Sequence, residues 1–92
     1  MRWRRIFKSY GLTKDQWWAM YESQGGKCAI SGRPLIVGKE AHVDHDHVTG
    51  EVRALLDGKI NVALGVFDHN PDWLRRAADY IEQHQHKARL VA

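Results

Sequence analysis

His42-Val43-Asp44-His45-Asp46-His47-Val48-Thr49-Gly50-Glu51-Val52-Arg53-Ala54-Leu55-Leu56 is the stretch on which the architecture turns. His42 to His47 reads as a strand running into a loop. Val48-Thr49-Gly50-Glu51 makes a turn, and Val52 to Leu56 reads as the return strand. Asp57 follows directly and is a good N-cap for a short helix through Ile60, Asn61 and Leu64 to about Gly65. Strand, turn, strand and helix in about 25 residues form a ββα unit. His42, His45 and His47 with Asp44 and Asp46 crowd more imidazole and carboxylate into six positions than packing requires. A regular strand sends Asp44 and Asp46 to one face and His45 and His47 to the other. A bend at the strand end is therefore needed to bring Asp44 and His45 to one site. Composition alone leaves a solvated polar turn without chemistry equally open.

Before this unit, Trp3, Ile6, Phe7 and Tyr10 follow i, i+3, i+4, i+7 spacing and predict a helix with these residues on one face. Gly11 ends it. Thr13 and Gln16 stand at the spacing of a capping box, opening a helix that buries Trp17, Met20 and Tyr21 and stops at Gly25-Gly26. Lys27 to Glu40 is turn-rich, with a small hairpin expected around Leu35-Ile36-Val37. After the unit, Asn70 can cap a last helix with Pro71 at its first position. Trp73, Leu74, Ala77, Ala78 and Ile81 give that helix an apolar face, and it is expected to fray near Lys87.

The 92 residues read as one α+β domain, 1–92, in which a ββα unit at about 42–66 is flanked by N- and C-terminal helices. A domain this small buries only about 60–65% of its unfolded surface, so each aromatic counts. Four tryptophans and a 43% hydrophobic fraction argue for a real core. The single cysteine, Cys28, excludes an internal disulfide, and no apolar run approaches a membrane span. The chain reads as cytoplasmic, with no membrane partner. Fourteen Lys and Arg against eleven Asp and Glu give a net charge of +3. Arg2, Arg4, Arg5 and Lys8 crowd one end; Arg75, Arg76, Lys87 and Arg89 lie near the other. Basic ends about an Asp/His-rich centre suit a polyanion.

Tyr10-Gly11-Leu12-Thr13, Gln24-Gly25-Gly26-Lys27-Cys28-Ala29-Ile30, Val43-Asp44-His45-Asp46-His47, Thr49-Gly50-Glu51-Val52-Arg53-Ala54-Leu55-Leu56 and Asn61 with Leu64-Gly65 follow one another in the order of the recombination endonuclease VII branch of HNH nucleases. The chain resembles that family from about Tyr10 to Ile81. The resemblance implies a metal-dependent DNA endonuclease leaving 5′-phosphate and 3′-hydroxyl ends. It makes His45 the general base toward the attacking water, a task suited to a side chain that changes protonation near neutrality. His47 becomes the donor to a phosphate oxygen. Asp44 and Asn61 become ligands of one divalent cation, with Mg²⁺ the ion that hard oxygen donors fit best; Mn²⁺, Zn²⁺ or Ni²⁺ can replace it in a purified sample. Arg53, with Arg2, Arg4 and Arg5, becomes a candidate for binding the DNA backbone, a plain surface charge being the alternative for Arg53. Monomer and homodimer both remain open.

One departure stands out. The family carries two Cys-x-x-Cys pairs around a structural zinc, and here those positions read Cys28-Ala29-Ile30-Ser31 and Asp57-Gly58-Lys59-Ile60. Serine is a poor zinc ligand and isoleucine is none, so no structural zinc is expected. A mixed site of Cys28, Asp57 and a histidine is the remaining alternative. The tryptophans, and Ile60 packing toward Cys28, are expected to supply the lost stability. The rival to the nuclease reading is a non-catalytic DNA-binding or protein-binding module on a degenerate HNH scaffold.

Overall fold

The computed structural model describes residues 2–39 and 41–91, with residues 86–91 described by backbone alone. The elements run α1 (Trp3–Tyr10), α2 (Lys14–Ser23), β1 (Ala41–His45), β2 (Val52–Asp57), α3 (Gly58–Val66) and α4 (Pro71–Val91). The fold is α+β: a two-stranded antiparallel sheet leads into α3 as a ββα unit, with helices before and after it along the chain. Contacts divide the chain into two compact units, residues 1–62 and 63–92.

In the first unit, local signals set the two leading helices. Gly11 takes a left-handed φ of 68° and its N–H closes α1 on the Phe7 carbonyl at 2.7 Å. The capping box forms in both directions: Gln16 N donates to Thr13 Oγ1 at 3.1 Å, and Thr13 N donates to Gln16 Oε1 at 2.9 Å. Trp17 is fully buried. Trp3 meets it edge-on at 5.4 Å, Trp18 edge-on at 4.9 Å, and Tyr21 stacks on it at 5.7 Å. Each such pair adds about 0.5–1.5 kcal/mol beyond the area it buries. The indole Nε1 of Trp17 has no hydrogen-bond partner among the described residues. Phe7 departs from expectation at 57% exposed. Trp3, Ile6 and Tyr10 are half-buried, and Phe7 lies at the margin of the stripe they define.

The expected hairpin between Lys27 and Glu40 does not form among the described residues. A single bridge joins Lys27 to Pro34, Leu35 alone of its apolar run is buried, and Ile36 and Val37 are exposed. The amides that would extend the pairing go elsewhere: Arg33 N donates to Ser31 Oγ at 3.2 Å and Gly26 N to the Tyr21 carbonyl at 2.9 Å. The bridge itself consists of Cys28 N to Arg33 O and Leu35 N to Gly26 O, both at 2.8 Å.

β1 and β2 pair Ala41 with Asp57, His42 with Leu56, Val43 with Leu55 and Asp44 with Ala54, then His45 with Val52. Leu55 and Leu56 are both buried. Neighbours on a strand face opposite ways, so both faces are covered there. The outer edge of β2 is closed by a side chain: Gln24 Oε1 accepts from Leu55 N and its Nε2 donates to Leu55 O, both at 2.9 Å. An edge capped in this way offers no ladder to another strand. β1 ends at His45 rather than His47. Asp46 Oδ1 accepts from Val48 N at 2.8 Å and Thr49 N at 3.0 Å, turning the chain before a strand can continue. The amides of Thr49 and then Val48 also hold the Asp46 carboxyl below its ordinary value.

In the second unit, Asn70 Oδ1 accepts from Asp72 N and Trp73 N at 3.0 and 3.1 Å, with Pro71 at the first helical position. Leu74 and Ala77 are half-buried, whereas Trp73, Tyr80 and Ile81 are exposed. α4 continues past Lys87 to Val91, with no glycine or second proline to stop it. The side chains of His86, Lys87 and Arg89 lie outside the described residues. No helix among the described residues is long and apolar enough to cross a membrane.

Candidate active site

The hairpin departs from regular pairing at the point where the candidate residues sit. Between the pairs Asp44–Ala54 and His45–Val52, β2 carries one residue more than β1, and that residue is Arg53. Strict alternation would send Arg53 to the same face as Leu55. An inserted residue re-aims its side chain, and Arg53 reaches Asp44. The irregularity expected at the end of β1 thus lies in its partner strand.

Asp44 is only 6% exposed. Its two oxygens each accept one bond from the same guanidinium: Arg53 Nε to Oδ2 at 2.7 Å and Arg53 Nη2 to Oδ1 at 3.0 Å. A planar fork on a carboxylate is the strongest form of this pair. The hydrogen bond to Asp44 raises the Arg53 pKa further. Arg53, expected to contact DNA, therefore holds the candidate metal ligand in this state, with its side chain still 41% exposed. The spacing of nine residues gave no hint of the pair, because an inserted residue is invisible to alternation.

His45 and His47 come together. Their rings stack at 4.8 Å with planes 16° apart. The Tyr10 ring lies 5.4 Å from His45 on its way out of α1. Periodicity puts Tyr10 on the packed face of α1, and its position at the end of that stripe is the signal for a contact beyond the helix. His45 is half-buried and His47 exposed, so the stack leads from the packed side of the hairpin toward solvent.

Asn61 sits half-buried on α3, and its amide receives no hydrogen bond from the described residues. It shares a helix face with Gly58, three residues earlier. Gly58 lies against His42, close enough that a Cβ there would meet His42 Nε2 at 2.9 Å. His42 in turn shares a strand face with Asp44. His42 and the start of α3 thus lie together at this end of the hairpin. No three His, Cys, Asp or Glu cluster as a metal cage among the described residues. A cation here would draw on Asp44, Asn61 and external oxygens. Each Asp44 oxygen retains a lone pair after serving Arg53, so the donor set fits a hard ion that keeps much of its water.

Arg2, Arg4 and Arg5 are exposed on and beside α1. A groove of about 420 Å³ joins the α1 residues Arg5 and Tyr10 to His42 and Val43 of β1. A guanidinium thus borders the edge of the hairpin.

With this geometry in place, a family model described as recombination endonuclease VII matches residues 3–83. The gene 59 protein of Mycobacterium phage D29 is 44% identical over 80 residues, covering 86% of this chain and 48% of that protein. The gene 59 protein of Mycobacterium phage L5 is 42% identical over 78 residues, covering 84% and 48%. The chain therefore spans about half the length of the curated relatives it matches. No solved structure matches.

Proposed function

Because the chain belongs to the recombination endonuclease VII family, we propose that it is a metal-dependent endonuclease of HNH type that hydrolyses DNA phosphodiester bonds. The observation that carries this reading is the hairpin corner. A buried carboxylate, Asp44, is held by an exchangeable arginine beside a stacked pair of imidazoles, His45 and His47. A solvated turn needs none of this.

In this reading His45 takes the proton from the attacking water, with Tyr10 and His47 restricting its ring. His47, nearer solvent, donates to a phosphate oxygen. Asp44 and Asn61 bind a divalent cation, Mg²⁺ by donor type. When bound, such an ion stabilises negative charge on the phosphoryl oxygens and the departing 3′ oxygen. Arg53 has two anionic partners to choose between, Asp44 and the phosphate backbone. Arg2, Arg4 and Arg5 hold the backbone electrostatically, so affinity falls steeply as salt rises. One such corner per chain implies nicking of a single strand, leaving 5′-phosphate and 3′-hydroxyl ends; two copies would be needed to cut both.

The test is relaxation of supercoiled plasmid with Mg²⁺ or Mn²⁺ against EDTA. Open circles should appear only with metal, and His45→Ala should slow their formation by about 10²–10⁴-fold. A wild-type protein that shifts DNA on a gel but cuts with neither ion would establish the rival, a non-catalytic binding module.

A further inference from the structure

The four positions that hold zinc in the family are 28, 31, 57 and 60, and in this structure they lie together. Asp57 is 4% exposed. Its Oδ1 accepts from the backbone N–H of Ile60 at 2.9 Å. Its Oδ2 accepts from Ser31 Oγ at 2.8 Å and from Arg33 Nη2 at 3.3 Å. Ser31 Oγ is itself fixed by Arg33 N at 3.2 Å, and Ser31 N points at Cys28 Sγ at 3.5 Å. Every zinc position is thus used, but by hydrogen bonds: thiol, hydroxyl, carboxylate and, at Ile60, a main-chain amide.

This donor set does not fit zinc. The Ser31 hydroxyl points its proton at Asp57, and the isoleucine side chain has nothing to coordinate with. Both Asp57 oxygens already serve protein donors. The mixed site of Cys28, Asp57 and a histidine finds no third donor among the described residues.

We propose that an aspartate-centred hydrogen-bonded knot, Asp57 with Ser31, Arg33, Cys28 and the Ile60 amide, replaces the structural zinc ion of the family and makes folding of this chain independent of that metal. The mechanical equivalence is direct. A zinc ion would tie the loop carrying positions 28 and 31 to the segment where β2 becomes α3. Asp57 ties the same two segments, 26 positions along the chain from Ser31, and caps α3 in the same act. The strength of the arrangement shows in the Asp57 carboxyl, held at about 2 chiefly by the Ile60 amide and then the Ser31 hydroxyl. A carboxylate can replace a cation here because the neighbouring groups are donors. The knot is the electrical inverse of a metal site: an anion at the centre with N–H and O–H groups around it.

The proposal rests on family membership and does not require catalysis, so it is tested by metal content and unfolding rather than by cutting. The background is Asp44→Asn, so that an ion held at the hairpin corner is not counted. Purified protein should contain no stoichiometric zinc, and its melting temperature should be the same in EDTA as in zinc. Asp57→Asn, which keeps the shape but loses the charge, should lower the melting temperature by roughly 5–15 °C. Ser31→Cys, Asp57→Cys and Ile60→Cys combined should take up one zinc per chain, with the thiolate-to-metal absorption of a tetrahedral site when cobalt is substituted. One zinc per chain in the parent, or a melting temperature that EDTA lowers, would overturn the proposal. So would an Asp57→Asn protein as stable as its parent, or a triple-cysteine protein that takes up no zinc, folded or not.

Discussion

Asp44 and Asp57 stand at opposite ends of one hairpin, equally buried, each with an arginine beside it, and they are held in different ways. Asp57 accepts from three residues, and two of its donors, the Ile60 amide and the Ser31 hydroxyl, are short and anchored to the backbone. The Ile60 amide cannot leave without α3 moving, and the Ser31 hydroxyl, on a one-carbon side chain, is also held by the N–H of Arg33. Asp44 accepts twice, and both bonds come from the one long side chain of Arg53, whose guanidinium stands several rotatable bonds from the backbone. Burial and charge are alike at the two sites, so neither distinguishes structure from function. What separates them is whether the donors can be exchanged for an incoming ligand.

The largest effect should come from crossing the two aspartates with two readouts. Asp44→Asn should reduce plasmid cutting by at least about 10²-fold while moving the melting temperature by less than about 5 °C. Asp57→Asn should do the reverse, losing stability but, well below its melting temperature, cutting within about tenfold of wild type. If each substitution moved both readouts alike, the distinction would collapse.

Acid should sharpen it next. The Asp57 carboxyl sits at about 2 in the folded chain against an ordinary value of 3.8. Its folded value is depressed, so its stabilisation is present in full above 3.8 and drains away as pH falls from there toward about 2. Urea midpoints across pH 2–6 should therefore fall more steeply in wild type than in Asp57→Asn below pH 4. Parallel curves would mean that the knot does not carry the acid sensitivity. The smallest effect belongs to Arg53→Lys. Lysine keeps the charge and loses the fork, and circular dichroism should show a melting temperature lower by only about 2–4 °C, because the Arg53 side chain is already 41% exposed.

The parts of this fold that were legible in the chain are those decided by residues within a few positions of each other. The Thr13–Gln16 box, the Gly11 stop, the Asn70-Pro71 start and the hairpin about Gly50 are all of this kind. Phe7 was misplaced because periodicity gives a stripe but not its width. The run Leu35-Ile36-Val37 suggests a hairpin, but the amides that would extend it, those of Gly26 and Arg33, donate to the Tyr21 carbonyl and Ser31 Oγ. For the candidate site, the sequence could group Asp44, His45, His47 and Asn61 by their resemblance to a family. It could not say what each one touches. The pairing of Arg53 with Asp44 depends on one inserted residue, and the pairing of Ser31 with Asp57 spans 26. Both are settled by chain packing rather than by local preference.

The inserted residue in β2 also bears on which genetic changes this corner can absorb. Arg53 lies outside the pairing between β1 and β2, so exchanging it for another amino acid leaves every other partner across the hairpin unchanged. A slip that drew it into the ladder opposite His45 would add a residue to the turn and carry Arg53 to the other side of the sheet. One added or lost residue in the Asp46–Glu51 turn favours such a slip. The hairpin should therefore accept point mutations at position 53 far more readily than insertions or deletions beside it, and the length of the turn between His45 and Val52 is as much a part of the corner as the side chains it presents.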